Sequence, residues 1–183
     1  MKELKTERLI LKGLSLDNLS DFFDYCKNPK IGPMAGWKPH DSMEESEKIL
    51  KSMITSNEVW GLYHKKDSRL IGTIGLHKRS SRNKKELGYV LREEYWGQGI
   101  TPEACKAVIK YAFEEEKLHK IEIFHFPFNT QSKRVIEKMG FIFEGIRRED
   151  IKRFDGKYLD SFGYSMLKSE YEKKERNDDN AKT

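Results

Sequence analysis

The sequence predicts a mixed α+β domain in which about four helices pack on a central, mostly antiparallel sheet of seven strands. Three observations indicate this class. Three short apolar runs follow one another across polar turns in the middle of the chain, as in a meander of strands. Segments with apolar residues at helical spacing alternate with further runs of the same kind. The last two runs meet at Asp155-Gly156, a dipeptide that is typical of hairpin turns.

The N-terminal part of the chain is expected to hold one strand and two helices. Arg8-Leu-Ile-Leu-Lys12 is an apolar run bounded by charge, which predicts the strand. Ser15 is a good N-cap for the helical stripe formed by Leu16, Leu19, Phe22 and Phe23. Proline and glycine residues between positions 29 and 39 break that helix and predict a loop. The pattern Ser42-Met-Glu-Glu45 is a capping box that opens the second helix.

The middle and C-terminal parts supply the other elements. The meander is expected to occupy Val59 to His64, Leu70 to His77 and Leu87 to Leu91. Two later segments carry the apolar stripe of an amphipathic helix, Pro102 to Glu116 and Ser132 to Met139, the second of which ends at Gly140. The remaining strands are expected at Ile121 to Phe126, Phe141 to Phe154 and Tyr158 to Met166.

Composition favours one compact domain. The chain has 183 residues, which is the usual length of a single domain, and 37% of them are hydrophobic. We expect the domain to span residues 1–171. Residues 172–183 lack an apolar stripe and are rich in turn formers, so a disordered C-terminal tail is expected there.

Charge and cysteine content narrow the class of function. The net charge of +5 suits a protein that attracts anionic ligands, but it does not by itself indicate a nucleic-acid partner. No apolar stretch approaches the roughly 20 residues that span a bilayer, and Met1 to Leu11 lacks the apolar core of a secretory signal. Cytoplasmic localisation is therefore expected. Cys26 and Cys105 show neither disulfide nor zinc spacing, and no metal is expected.

The segment from Glu86 to Ala104 is the most informative part of the sequence. It predicts a strand, a loop containing Gly97 and Gly99, and a helix with Pro102 in its first turn. A helix N-terminus carries free N–H groups and about half a positive charge, so this arrangement favours a phosphate or pyrophosphate ligand. A dinucleotide fingerprint would need a third glycine where Pro102 stands, and the Gly-Lys-Ser/Thr of a P-loop is absent.

Two motifs in this order resemble those of the GNAT superfamily of N-acetyltransferases. Trp96-Gly-Gln-Gly-Ile-Thr101 looks like the loop that binds the pyrophosphate of acetyl-coenzyme A in that superfamily. Asn129-Thr-Gln-Ser132, followed by Gly140-Phe141, resembles the second signature. The segment from Phe143 to Tyr164 is similar to the branch that contains the ribosomal-protein N-terminal acetyltransferases. The resemblance covers nearly all of residues 5 to 170.

The resemblance implies a sheet that splays between its fourth and fifth strands, with the pantetheine arm of acetyl-coenzyme A paired along the exposed strand edge. The implied cofactor-binding residues are the backbone of Tyr89, Val90 and Leu91 for the pantetheine and thioester, the loop Gly97, Gln98, Gly99, Ile100 and Thr101 for the pyrophosphate, and Asn129 on the opposite side. An exposed strand edge is otherwise an aggregation hazard, so its use to pair an amide-bearing cofactor makes physical sense.

The implied catalytic residues are Ser132 and Glu86. The tyrosine with which many members protonate the leaving thiolate falls at Ile136, so Ser132 is the candidate acid, with a first-turn helix serine as the equal alternative. Glu86 is the candidate base, with a salt-bridged carboxylate at the strand end as the alternative. The carboxylate that ribosomal-type members carry after the second motif aligns with Ile151, so neighbouring Glu149 or Asp150 could replace it only if the strand register shifts.

Trp37 and His40, in the loop before the second helix, are candidates for the acceptor site, although a loop packed by an aromatic residue is the simpler interpretation. The basic run Arg79 to Lys85 is interpreted as a solvated hairpin tip. The sequence thus predicts transfer of an acetyl group from acetyl-coenzyme A to a primary amine, most readily a protein N-terminus. The alternatives are a small-molecule amine (a polyamine, aminoglycoside or amino acid) and a catalytically silent acyl-coenzyme A binding module. Neither a membrane nor a nucleic acid is expected as a partner, and a homodimer is left open.

Overall fold

The computed structural model describes residues 1–79 and 83–180, and its strands form one sheet of eight in the order β1-β2-β3-β4-β5-β6-β8-β7. Every neighbouring pair is antiparallel except β5 and β6. The strands are β1 Leu4–Lys5, β2 Leu9–Gly13, β3 Val59–His64, β4 Leu70–His77, β5 Lys84–Leu91, β6 Lys120–His125, β7 Ile142–Lys152 and β8 Tyr158–Leu167.

The described part of the chain forms five α-helices on the two faces of this sheet: α1 Leu19–Cys26, α2 Met43–Ser56, α3 Ile100–Glu114, α4 Thr130–Met139 and α5 Lys168–Asn180. Helices α3 and α4 bury residues such as Val108 and Ile136 in the larger core, together with Leu11 and Ile74 of the sheet. Helices α1 and α2 form a second core on Phe22 and Leu50, which also buries residues of β3 and β4. None of the helices in residues 1–79 and 83–180 has the length and apolar composition needed to cross a membrane.

The predicted count of seven strands and four helices is therefore too low by one of each. The extra strand, β1, has two residues, which is too short to leave a periodic pattern in the sequence. The extra helix is α5, which replaces the tail expected from position 172. It is anchored by Tyr171, whose ring stacks on Phe113 with centroids 5.1 Å apart and whose hydroxyl donates to Glu114. One buried aromatic residue thus holds the start of a helix whose remaining sequence is polar.

The basic run Arg79 to Lys85 joins β4 to β5, and its residues 80–82 lie outside the described part of the chain. Arg79 forms an ion pair with Glu86, and Lys84 and Lys85 already belong to β5.

The sheet splays between β5 and β6, as the resemblance implies. These are the fourth and fifth of the seven predicted strands, because the unpredicted β1 shifts the numbering by one. Strand β5 pairs with β4 over its last six residues, from His77 opposite Glu86 to Gly72 opposite Leu91. Its pairing with β6 covers only Lys84, Lys85 and Glu86. Beyond that point β6 follows β8, and the edge of β5 from 87 to 91 has no strand beside it within the described residues. A wedge therefore opens toward the C-terminal ends of β5 and β6.

Candidate coenzyme and acceptor site

The free edge of β5 forms one wall of the wedge. Arg92 N–H donates to Ile71 O on β4, and Gly72 leaves so little room that a Cβ there would lie 2.3 Å from the Val90 carbonyl oxygen. Val90 therefore directs its carbonyl toward β4. Because backbone groups alternate in direction along a strand, the groups that face the wedge are those of Leu87, Tyr89 and Leu91. The expectation that the Val90 backbone pairs with the pantetheine is corrected accordingly, because these backbone groups face β4. The Val90 side chain packs on the core under α1 and α2.

The carbonyl of Leu91 already has a partner, because the indole Nε1 of Trp96 donates to it at 2.8 Å. Trp96 contacts both cores and thereby fixes the end of β5 to the following loop. The backbone N–H and C=O of Tyr89 and the N–H of Leu91 therefore remain available, at the open end of the wedge, to pair with a ligand.

The loop after β5 has the conformation that an anion site needs. Gly97 and Gly99 adopt left-handed backbone conformations, with φ of 73° and 75°, which glycine tolerates at little cost. Gly99 is the N-cap of α3, so the N–H groups of Ile100 and Thr101 lie in the first helical turn, where no intrahelical acceptor exists. The Gln98 side chain turns back and donates to the Glu94 carbonyl at 2.7 Å. Its backbone N–H is therefore the group of Gln98 that is suited to face a pyrophosphate.

The opposite wall is the N-terminal turn of α4. Asn129 caps this helix, because its Oδ1 accepts from Ser132 N–H at 3.0 Å, while its Nδ2 donates to the Met34 carbonyl at 2.9 Å. Asn129 therefore joins α4 to the loop between α1 and α2. Both ends of its side chain are engaged, so a ligand would have to share them.

The hydroxyl of Ser132 does not cap the helix. It lies 2.9 Å from the hydroxyl of Tyr89, across the wedge, and the two groups form a hydrogen bond. Burial raises the pKa of Tyr89 well above its ordinary value, so this hydroxyl keeps its proton at neutral pH. Ile136, one turn further along α4, is fully buried and supplies no polar group. The Tyr89 hydroxyl is a functional candidate that the sequence analysis missed. The available signal was the two-residue spacing of Leu87, Tyr89 and Leu91, which places the three side chains on one face of β5, toward the core of α3 and α4.

Glu86 occupies the closed end of the wedge. It is the last residue of β5 paired with β6, opposite Glu122, and its carboxylate lies 3.2 Å from the Arg79 guanidinium. The side chain also lines a cavity of about 190 Å³ with Phe124 and Glu144. Both interpretations of Glu86 are thus visible in its surroundings: an ion-paired carboxylate and a carboxylate beside an open space.

Strand β7 carries a register shift where the alternative carboxylates lie. Arg147 pairs with Ser161 and Ile151 pairs with Leu159, so three residues of β7 face one residue of β8. The bulge turns Asp150 toward the buried Ser161, whose hydroxyl donates to it. Because two extra residues are inserted, the face of the strand is kept on both sides of the bulge.

Trp37 and His40 do not behave alike. His40 is 7% exposed, lies against Phe22 and has its Nδ1 2.7 Å from the Ser46 hydroxyl. Burial lowers the pKa of His40 below its ordinary value. These contacts correct the acceptor-site expectation for His40, which packs α1 against α2. Trp37 is half-buried beside it and remains at the loop that reaches Asn129.

The described residues hold no cluster of three or more His, Cys, Asp and Glu side chains that could bind a metal ion. Cys26 and Cys105 are both buried free thiols.

Comparison with known proteins identifies the family to which this site belongs. Residues 8–142 match the acetyltransferase (GNAT) domain family. A putative ribosomal N-acetyltransferase of Bacillus subtilis, YdaF, is 39% identical over 107 residues, which are 58% of each chain. A GNAT-family acetyltransferase from Bacillus anthracis has a TM-score of 0.84 at 25% identity and covers 92% of this chain and 99% of its own.

Spermidine N-acetyltransferase from Vibrio cholerae, solved with CoA and spermine, has a TM-score of 0.78 at 23% identity and covers 91% of this chain and 99% of its own. The matched family model contains both walls of the wedge and the glycine loop. The chain therefore belongs to the GNAT acetyltransferases, and its activity is acetyl-coenzyme A dependent acyl transfer.

Proposed function

We propose that the protein acetylates a protein N-terminal α-amine by direct attack of the amine on the thioester of acetyl-coenzyme A. The observation that carries the proposal is the open edge of β5, which leads from the glycine loop to Glu86. The pyrophosphate binds at the loop from Gly97 to Thr101, and the pantetheine runs along Tyr89 and Leu91. Strand geometry places Glu86 about 10 Å from Tyr89 along the chain, so the reacting carbonyl lies between the loop and the carboxylate.

Each proton has a named destination in this scheme. The amine nitrogen bonds to the thioester carbonyl carbon while a backbone N–H of the β5 edge stabilises the developing oxyanion. The carbon–sulfur bond then breaks, and the thiolate takes a proton from the Ser132 hydroxyl, which Tyr89 orients and which regains a proton from solvent water in the same step. Glu86 accepts the proton that the amine loses, directly or through water. Asp150, in the bulge of β7, is the second candidate for this last role.

The preference for an α-amine rests on two arguments. An α-amino group has a reference pKa of about 7.7 to 8.0, so part of it is neutral at pH 7, whereas a lysine amine near 10.4 needs a stronger base. The carboxylates around the cavity at the wedge are also neutralised. Glu86, Glu122 and Glu144 each pair with a basic side chain, respectively Arg79, Lys84 and Lys120. A polycationic small molecule would find little net negative charge there.

We also propose the cytoplasm as the compartment, since buried free thiols such as Cys26 and Cys105 suit a reducing environment.

An acceptor screen tests the proposal. Thiol release from acetyl-coenzyme A is measured with N-terminal peptides, polyamines, aminoglycosides and free amino acids at equal concentrations. The highest kcat/KM is expected with an N-terminal peptide, and the same peptide with a blocked N-terminus but a free lysine serves as the control. Faster turnover of a polyamine, aminoglycoside or amino acid would replace the proposed substrate. Coenzyme binding without thiol release from any amine would indicate a silent binding module.

A further inference from the structure

Arg8, which immediately precedes β2, touches the glycine loop from a distant part of the chain. Its Nη1 donates to the Gln98 carbonyl at 2.8 Å, and its Nε donates to Glu103 of α3 at 2.6 Å. The backbone N–H of Arg8 and the hydroxyl of Thr6 also donate to Glu103. A Cβ on Gly99 would lie 3.6 Å from Arg8 Nη2, so the guanidinium lies alongside the left-handed residue of the loop.

We propose that Arg8 is a positioning residue for coenzyme binding. It fixes the peptide between Gln98 and Gly99 so that the Gly99 N–H faces the pyrophosphate, and it cancels the charge of Glu103 at the same end of α3. The inference rests on the proposed assignment of the loop to the pyrophosphate, and it adds two residues, Arg8 and Glu103, to which no role is otherwise assigned.

The first part follows from peptide geometry. In a trans peptide the C=O of one residue and the N–H of the next point in opposite directions, and no peptide bond among the described residues is cis. Because the Gln98 carbonyl is held toward Arg8, the Gly99 N–H points away from the guanidinium. This N–H donates to no backbone acceptor within residues 1–79 and 83–180. It is therefore held in a fixed direction and is available to a ligand.

The second part is electrostatic. Glu103 lies in the first turn of α3, where the free N–H groups and the helix dipole attract any anion. Although burial acts to raise it, the pKa of Glu103 is lowered overall by hydrogen bonds from Thr6 and Arg8, so the group is a carboxylate at neutral pH. An unpaired carboxylate at this position would repel the pyrophosphate. Arg8 pairs with it and leaves the positive end of the helix to the ligand.

Four variants separate these contributions. Arg8→Met removes both contributions, and Arg8→Lys keeps the charge but loses the forked donor that reaches Glu103 and Gln98 together. The double variant Arg8→Met with Glu103→Gln also lacks the contact with Gln98, but it no longer has an unpaired carboxylate at the start of α3. Lys65→Met is the matched control, since Lys65 donates to the Thr6 carbonyl nearby and does not touch the loop. For each protein, the Kd for coenzyme A is measured by calorimetry at two salt concentrations, with the Tm of the unliganded protein and the steady-state constants.

Arg8→Met is expected to weaken coenzyme A binding about 30-fold, a loss in the range found for hydrogen bonds to charged groups. Its KM for acetyl-coenzyme A rises, while kcat at saturation changes little. Replacing Glu103 as well restores part of the affinity, and the restored part shrinks at high salt because it is electrostatic. Arg8→Lys loses several-fold in affinity, and Lys65→Met keeps the wild-type Kd.

Two results would overturn the inference. One is an unchanged Kd in Arg8→Met and in Arg8→Lys with only a lower Tm, which would make the residue a structural brace. The other is an equal loss in Lys65→Met, which would reduce the effect to net charge. Failure of the wild-type protein to bind coenzyme A would instead refute the proposed loop assignment, so the two failures are distinguishable. Should Arg8→Met not fold, Arg8→Lys still tests the peptide orientation.

Discussion

Replacing Ser132 with alanine tests whether the hydroxyl pair in the wedge has a chemical role. The change removes one oxygen from the first turn of α4 and leaves the helix cap intact, because Asn129 accepts the Ser132 N–H through its own side chain. The stability that a capping serine would contribute is therefore not lost. What is lost is the 2.9 Å hydrogen bond to the Tyr89 hydroxyl.

The size of the structural effect follows from that single bond. A neutral hydrogen bond contributes about 0.5 to 1.5 kcal/mol net, and a buried hydroxyl left without a partner costs about 1 to 3 kcal/mol. Tyr89 keeps only a long contact, 3.4 Å, with the Ser132 carbonyl. We expect the free energy of unfolding to fall by about 1 to 2 kcal/mol, which for a chain of this size lowers the Tm by about 2 to 8 °C.

The chemical effect is larger. If Ser132 protonates the thiolate, its removal is expected to lower kcat about 100-fold, the lower end for a lost proton transfer, and this corresponds to about 2.7 kcal/mol of activation free energy. Coenzyme affinity should change little, because the pyrophosphate loop is untouched. The assay is thiol release under saturating acetyl-coenzyme A, at a temperature at which calorimetry shows every variant to be folded.

Tyr89→Phe and the double variant complete a thermodynamic cycle. Removing the Tyr89 hydroxyl alone is expected to lower kcat about 10-fold through loss of orientation, and in the double variant the stability penalty of Ser132→Ala should diminish because no buried hydroxyl is stranded. Gln131→Ala, an exposed change in the same helical turn, is the control. A lower Tm with wild-type kcat per folded molecule in Ser132→Ala would refute the catalytic role.

Three further predictions concern the loop, the base and the stability of the α1–α2 region. Gly99→Val forces a β-branched residue into a left-handed conformation, so the rise in Tm caused by coenzyme A should disappear in thermal shift while the unliganded protein stays folded. Glu86→Gln should lower kcat/KM most near neutral pH and recover as rising pH deprotonates the amine; a uniform loss across pH would assign Glu86 to positioning. Because burial lowers the pKa of His40, this histidine takes up a proton in the unfolded chain at a higher pH than in the folded protein. The free energy of unfolding is therefore expected to fall as pH drops through about 6.5. His40→Gln should flatten this dependence in unfolding curves measured at several pH values.

The sequence predicted most of the sheet because its strands are apolar runs bounded by turn residues, and the central strands β3 and β4 are buried over nearly their whole length. Strand β4, for example, is buried over seven of its eight residues and is predicted with its observed bounds. The elements that were missed depend on contacts distant in sequence. Strand β1 exists because Leu4 pairs with Leu11, and helix α5 is held by Tyr171 on Phe113. Such pairings leave no local signal.

The candidate site divides in the same way. The sequence predicted a tight loop at Gly97 and Gly99, and both residues adopt left-handed backbone conformations. The pyrophosphate ligand of this loop is implied by the resemblance and stays a prediction. The direction of the Val90 carbonyl could not be predicted, since it depends on the register with Gly72. Nor could the contact of Arg8 with Gln98, which joins residues 90 positions apart. For His40 the burial against Phe22 favours the simpler of the two interpretations, a residue packed in the loop, which the sequence could not distinguish from an acceptor-site residue.

The wedge itself requires a physical explanation, because an open strand edge leaves backbone groups without partners. Each of the two strands keeps six paired positions on its outer side, β5 with β4 and β6 with β8, so the divergence removes only their mutual pairing. The gap is spanned by the Tyr89–Ser132 hydrogen bond and braced by the contact of Asn129 with the Met34 carbonyl. These contacts hold α4 at a fixed distance from β5. A ligand with amide groups at strand-like spacing can then complete the ladder without moving either strand, and little conformational entropy is lost on binding. If the Tyr89–Ser132 hydrogen bond holds the wedge open as well as orienting Ser132 for proton transfer, truncating Tyr89 should weaken coenzyme binding in addition to slowing turnover.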